Sequence, residues 1–204
     1  MTRVFVLAAG AAFSAFVGFS QTPPKPLVGV FLDFDSVPGK NSVEIMKHEV
    51  DSLLKASGVS VGWRLAAENH GNESFDGLVV LKFKGKCQVE GWQRNPTPGA
   101  DSTLGTTAVA DGQVLPFSEV KCDALREALS YLPAESNQSE RQRAFGLAMG
   151  RVVAHEIYHI LASTTSHAAR GLAKAAESLR DLVSSQGMPF RAEDSEAIRK
   201  GLSH

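Results

Sequence analysis

Two histidines four residues apart, His155 and His159, constrain the fold of this chain more than any other feature of its sequence. If both are to face one point, the segment must be an α-helix, because residues i and i+4 lie on one face about one turn apart. Their ring nitrogens can then bind a single Zn²⁺ at about 2.0–2.1 Å. Glu156, about 100° around the helix, can reach a metal-activated water and serve as its general base. The spacing therefore predicts a helix that carries a zinc site.

The surroundings of this motif favour a metal site over two unrelated surface histidines. Three of the six histidines of the chain, His167 included, fall between positions 155 and 167. The motif also lies late in a long apolar segment, where a solvated helix face would be more polar. A capping-box pattern, Ser139 with Gln142, predicts the start of the helix. The small hydroxyl residues at 164–166 compete for backbone hydrogen bonds and predict its end.

The N-terminus has the pattern of a targeting segment. Arg3 is followed by an uncharged apolar run at residues 4–18, and small residues at Gly18 and Ser20 provide a cleavage site. This run is shorter than the roughly 20 residues of a membrane-spanning helix, which favours a cleaved signal peptide at residues 1–20 over a retained anchor. We therefore expect one domain at residues 21–204, secreted or periplasmic, without stable membrane association after cleavage.

Cysteine content and charge narrow the class of protein further. Export favours a disulfide between Cys87 and Cys122 over two unpaired buried thiols. In the chain-entropy model such a bridge contributes roughly 3–4 kcal/mol. The formal net charge of −1 leaves no basic footprint of the kind that nucleic-acid binding requires. No nucleic-acid partner is expected, and the sequence carries no indication of oligomeric state.

The remaining apolar patterns indicate an α+β fold. A helix is predicted near the N-terminus, where Asn41 and Glu44 form another capping-box pattern and Gly58 ends the apolar periodicity. Asp111-Gly112 is a type I′ turn signal that predicts a hairpin over residues 106–117. Pro116 cannot donate to a strand ladder, so this hairpin should lie at a sheet edge. Further strands are predicted at 27–32, 59–65 and 77–83, a short helix at 121–131 and a last long helix at 171–183.

This order of elements predicts a mixed sheet that packs one face on two helices, one near the N-terminus and the other the long helix with the histidines. With its His-Glu-x-x-His motif and His167, the chain resembles the zincin metallopeptidases, specifically secreted bacterial members with a compact metzincin-like core. The resemblance implies that the edge hairpin binds an extended peptide or protein substrate. The metzincin pattern continues with a glycine and a third histidine, and here Ala162 and Thr165 stand in those two places.

Two residues are candidates for the third zinc ligand. His167 follows the predicted helix end and is the first histidine beyond it. Glu177 is the alternative, because Glu177 and Asp181 resemble the Glu-x-x-x-Asp helix of thermolysin-like enzymes, in which the glutamate binds zinc. Tyr158 could donate to an oxyanion, although a packing role is the expectation.

The leading interpretation is a secreted zinc metalloendopeptidase. Zn²⁺ would be held by His155, His159 and His167, and Glu156 would be the general base in the hydrolysis of peptide bonds. The alternative is an exported, non-catalytic zinc-binding module, which is kept open by the missing glycine and by the missing methionine turn of metzincins, since Met188 is the only methionine after the motif.

Overall fold

A computed structural model of the chain describes residues 25–68, 71–91, 103–133, 136–175 and 178–203. The predicted signal peptide at 1–20, Glu177 and most of the Gly- and Pro-rich stretch at 88–99 lie outside these ranges. Within them the elements, in chain order, are β1 (Leu27–Phe34), α1 (Lys40–Ala56), β2 (Ser60–Leu65), β3 (Gly77–Lys84), β4 (Gly105–Ala110), β5 (Gln113–Lys121), α2 (Cys122–Ala128), α3 (Gln138–Leu161), α4 (Leu179–Val183) and α5 (Ala192–Gly201).

The strands form one mixed sheet in the order β2-β1-β3-β5-β4. Strands β2, β1, β3 and β5 run parallel, and β4 pairs with β5 antiparallel at the edge. Alternate residues of β3 are buried, as a period-2 strand pattern requires when one face packs on helices, whereas residues 28–32 of β1 are all buried. Helices α1 and α3 cover that face, and the predicted α+β fold is confirmed.

The edge hairpin has the turn that its sequence predicts. Asp111 and Gly112 both have positive φ, 51° and 76°, as a type I′ turn demands. Val109 pairs with Val114 and Thr107 with Ser118, so the ladder is irregular in between. Pro116 lies in this irregular stretch, where its missing N–H costs no regular ladder hydrogen bond.

Both predicted capping boxes are wrong, and Asn41 and Gln142 bind each other instead. Helix α3 begins two residues earlier than predicted, with Asn137 and Glu140 as the reciprocal capping pair. Helix α1 follows Gly39, whose position has no side-chain cap. The Nδ2 of Asn41 instead donates to Oε1 of Gln142 at 3.1 Å, which joins the starts of the two helices.

Helices α1 and α3 approach closely because α3 has glycines on the facing side. A Cβ built on Gly146 would lie 2.7 Å from Cβ of Ile45 and 2.8 Å from the carbonyl oxygen of Ser42. A Cβ built on Gly150 would lie 3.0 Å from the carbonyl oxygen of Met46. Neither neighbour can move away easily, because the oxygens belong to the α1 backbone. The two glycines therefore set the separation of the helices.

The predicted last helix is much shorter than expected. Among the described residues of 171–183 only Leu179–Val183 is helical, whereas the chain before it turns at Gly171, where φ is +77°, and forms a bridge between Ala168 and Lys174. Leu172 and Ala173 are fully buried in this non-helical stretch. The apolar periodicity of the sequence predicted a helix here, whereas these residues are buried in irregular backbone.

The disulfide prediction is confirmed. Cys87 and Cys122 are bonded, with their Cα atoms 5.0 Å apart, and the bond ties the chain after β3 to the first residue of α2. Among the described helices, none has both the length and the apolar character needed to cross a membrane.

Gly146→Ala should destabilise the fold even though alanine favours a helix over glycine by about 1 kcal/mol. The new Cβ would overlap Ile45 and the Ser42 carbonyl, and such overpacking typically costs about 1–3 kcal/mol. Because the overlap is with a backbone oxygen and a Cβ, we expect a cost at the upper end of this range and a net loss of about 1–2 kcal/mol in the free energy of unfolding, measured by urea denaturation. Gly187→Ala is the control, because its Cβ would meet no atom within 4 Å. Unchanged or increased stability of Gly146→Ala would refute this account of the helix contact.

Candidate metal centre

The end of helix α3 sets the positions of the histidines. The helix ends at Leu161, and Ser163 turns the chain with a left-handed φ of 47°. Ala162, which stands where metzincins have glycine, keeps right-handed dihedrals, so the turn falls one residue later. The amide of Thr164 then donates to the carbonyl of His159 at 3.0 Å. The chain beyond therefore doubles back towards the helix.

Three imidazoles meet at this turn. Nε2 of His159 lies 3.0 Å from Nε2 of His155 and 3.2 Å from Nε2 of His167. His159 is buried, His155 is half-buried and His167 is exposed. The structure thus brings together all three histidines singled out from the sequence, whereas the alternative third ligand, Glu177, lies outside the described residues.

Backbone carbonyls fix which nitrogen of two of these rings carries hydrogen. Nδ1 of His155 is 2.7 Å from the carbonyl oxygen of Leu172, and Nδ1 of His159 is 2.7 Å from that of Thr164. A carbonyl oxygen can only accept, so each Nδ1 must be the donor. In the neutral rings the lone pairs are consequently on the Nε2 atoms, the atoms that face each other.

This donor set fits a metal cation. Bare lone pairs 3.0 Å apart repel one another unless a proton or a metal ion lies between them. Burial lowers the pKa of both His155 and His159, although the carbonyl hydrogen bonds oppose this, so the protonated rings are disfavoured. Ligands of a tetrahedral zinc ion at about 2.0–2.1 Å are about 3.3 Å apart, close to the two observed separations.

Glu156 lies beside the histidines and is held by the edge strand. Its side chain is buried, and Oε2 accepts a hydrogen bond of 2.6 Å from Oγ1 of Thr107 on β4. A Cβ on Gly105 would lie only 2.6 Å from Oε1, so the carboxylate rests against the β4 backbone. Burial raises the pKa of Glu156, and the Thr107 hydrogen bond opposes that rise. A carboxyl with a raised pKa is suited to take up a proton.

The histidines and Glu156 open into a cleft of about 610 Å³. Strand β4 forms one wall, and the other walls come from α3 and from the chain after it, including Lys174 and Leu182. Tyr158 is not among the described residues that line the cleft. It is buried, and its ring packs against Phe190 with centroids 5.8 Å apart. This position agrees with the packing role expected for it.

Arg151, one turn before His155, is a part of the site that sequence reasoning missed. It is 2% exposed, and its Nε donates to Oε1 of Glu49 on α1 at 2.9 Å. Its other nitrogens donate to the carbonyls of Asp181 and Ser184, which lie beside the cleft. The signal available in the sequence was a single cation within the apolar run of α3, where an unpaired charge would be very costly.

No family model and no curated protein matches this chain. Among solved structures it is similar to archaemetzincin from Methanopyrus kandleri, with a TM-score of 0.50 and 11% sequence identity, over 91% of this chain and 99% of that one. Similarity at this low identity shows the fold alone. The chain has a zincin-like fold.

Glu49→Gln should destabilise the protein strongly, because it leaves the buried guanidinium of Arg151 without its anionic partner. Breaking a buried ion pair from one side typically costs about 3–5 kcal/mol. The free energy of unfolding from urea denaturation measures this loss. The matched control on the same helix is Glu44→Gln, whose side chain is 62% exposed in its pair with Lys47 and should change stability by less than about 0.5 kcal/mol. An equally small loss of stability in both variants would show that the buried ion pair does not stabilise the fold.

Proposed function

We propose that the chain is a zinc-dependent peptidase that hydrolyses peptide bonds. The observation that carries the proposal is the convergence of the His155, His159 and His167 Nε2 atoms beside the buried carboxyl of Glu156. The zincin-like fold supports it, since the structural neighbour is named an archaemetzincin. Three protein ligands and one open position are typical of catalytic rather than structural zinc sites.

The proposal gives each residue a separate task. His155, His159 and His167 would hold the ion, and the carbonyls of Leu172 and Thr164 keep the first two rings in the metal-binding tautomer. Zinc, when bound, polarises the scissile carbonyl and activates water as a nucleophile. Glu156 would accept a proton and return it to the leaving amine, a task that its burial and raised pKa favour.

The proposed substrate is an extended peptide segment. Strand β4 is at the sheet edge, with β5 on its other side, so its outer backbone groups can pair with an added strand. The wall of the cleft that β4 forms runs past Glu156, which would bring a paired peptide to the histidines. The partner is thus a peptide or an unfolded protein region.

We further propose that the mature protein is a single domain of residues 21–204 that acts outside the cytoplasm after removal of a signal peptide at 1–20. The support is the disulfide between Cys87 and Cys122, since such bonds persist in oxidising compartments.

The second candidate function is an exported zinc-binding module without turnover. Two departures from the metzincin pattern favour it, Ala162 in the place of glycine and the missing methionine turn after the motif. Such a module would use the same three histidines, so zinc content alone does not separate the two candidates.

Mature protein should bind about one zinc ion per chain, and His155→Ala and His159→Ala should each remove it. His167→Ala should lower zinc occupancy as much as His159→Ala, because each removes one of three ligands. Elemental analysis after dialysis against a weak chelator measures occupancy. His48→Ala, an exposed histidine on α1, is the control and should keep its zinc. Retention by His167→Ala together with loss by Glu177→Ala would assign the third ligand to Glu177.

Glu156→Gln should leave zinc bound and lower hydrolysis of a labelled unfolded protein at least about 100-fold, because the amide cannot accept the proton. The variant keeps the size of the side chain, so a fold change is not expected, and circular dichroism checks this. Wild-type protein that binds zinc but cleaves no member of a diverse peptide library would favour the non-catalytic module. Full activity of Glu156→Gln would mean that another group is the base.

A further inference from the structure

We infer that Thr107, on edge strand β4, is a positioning residue that orients the Glu156 carboxylate for proton transfer, with Ser118 on β5 orienting Thr107 in turn. The inference rests on the proposed function, in which Glu156 is the base. It adds two hydroxyl groups on the sheet to a site otherwise carried by α3 and the turn that follows it.

The direction of the hydrogen bonds follows from the groups involved. An ionised carboxylate can only accept, so Oγ1 of Thr107 must donate its single hydrogen to Oε2 of Glu156, at 2.6 Å. The 2.8 Å contact between Oγ1 of Thr107 and Oγ of Ser118 must then be donated by Ser118. While Glu156 is ionised, the chain Ser118→Thr107→Glu156 therefore has one direction. Both its ends are buried, with Ser118 3% and Glu156 5% exposed.

The β4 backbone also contributes to the position of the Glu156 carboxylate. Gly105 and Thr107, two residues apart, project from the same face of the strand. A side chain at Gly105 would collide with Oε1 of Glu156 and with Val152, so the glycine lets the carboxylate lie against the strand. The regular β4–β5 pairing continues up to the Thr107–Ser118 pair and becomes irregular beyond it. The pair is thus the last regular one before the register shift in the hairpin.

The hydrogen bond from Thr107 distinguishes the two carboxylate oxygens of Glu156. Because Oε2 already accepts this bond, we assign the uptake and release of the proton to Oε1. A hydrogen bond is electrostatically stronger in the protein interior than in water, so the Thr107 hydroxyl holds the buried carboxylate firmly. Without this hydroxyl, the Glu156 carboxylate should be able to rotate. The strand that we propose for substrate pairing therefore also positions the base.

The test uses the zinc-loaded chain with Thr107→Val, which is nearly isosteric but lacks the donor, and with Thr107→Ser, which restores it. We expect Thr107→Val to lower kcat about 10–100-fold, as is typical when a group that orients a site residue is removed. KM should change less than about 3-fold, and zinc occupancy should be unchanged. Thr107→Ser should lie within about 3-fold of wild-type kcat. Ser118→Ala should lower kcat by about 5-fold, the effect of one neutral hydrogen bond.

Ser57→Ala is the matched control. Oγ of Ser57 is fully buried and lies 2.8 Å from Oγ of Ser195, the same separation as in the Thr107–Ser118 pair, yet it does not line the cleft. This variant removes an equivalent buried hydroxyl pair and should leave kcat at the wild-type value. A similar fall in kcat for Ser57→Ala and Ser118→Ala would mean that the effects come from general destabilisation, and the inference would be wrong.

Other outcomes separate this inference from the proposed function. Wild-type kcat in Thr107→Val, or equal impairment of the Val and Ser variants, overturns the inference while the peptidase proposal stands. If Thr107→Val does not fold, Ser118→Ala with intact zinc and wild-type kcat overturns it. If the wild type shows no hydrolysis, crystal structures decide: the Glu156 carboxylate should change orientation between wild type and Thr107→Val, and an unchanged orientation contradicts the inference.

Discussion

The constraint on which this structure depends is the burial of helix α3 against the sheet, helix α1 and the chain that follows α3. Residues 145–154 of the helix are all buried, and so are several beyond them. Close contact with α1 is possible because Gly146 and Gly150 carry no side chain. A buried helix cannot leave polar side chains without partners, since each would cost several kcal/mol (about 2–7 for an uncharged group). Every polar residue of α3 in this region must therefore find a partner on another element.

Four polar side chains of α3 have hydrogen-bond partners on other segments of the chain. Arg151 binds Glu49 of α1 and two carbonyls beside α4, while Glu156 accepts a hydrogen bond from β4. His155 donates a hydrogen bond to the carbonyl of Leu172, and His159 donates one to the carbonyl of Thr164. The same bonds that satisfy buried groups thus direct the imidazole lone pairs to one point. Stability and the arrangement of the candidate site have the same physical origin.

Several sequence predictions were correct because the signals behind them are local or compositional. The Asp111-Gly112 turn needs two positive φ angles, which this dipeptide supplies regardless of tertiary context. The capping boxes and the last helix were wrong because competing interactions decide them. Asn41 bonds Gln142 on the other helix instead of capping its own, and the stretch around Leu172 gives its carbonyl to His155 instead of continuing a helix.

By itself the sequence determined that His155, Glu156 and His159 share a helix, because a spacing of four fixes their relative directions within one turn. It also determined the α+β class, since strand and helix periods alternate along the chain. Only the tertiary structure decided that His167 approaches the pair, that Thr107 holds Glu156 and that Arg151 has Glu49 as its partner. These contacts join residues on separate elements. The hydrophobic periodicity of one segment cannot predict which distant backbone or side-chain group will contact a buried polar residue.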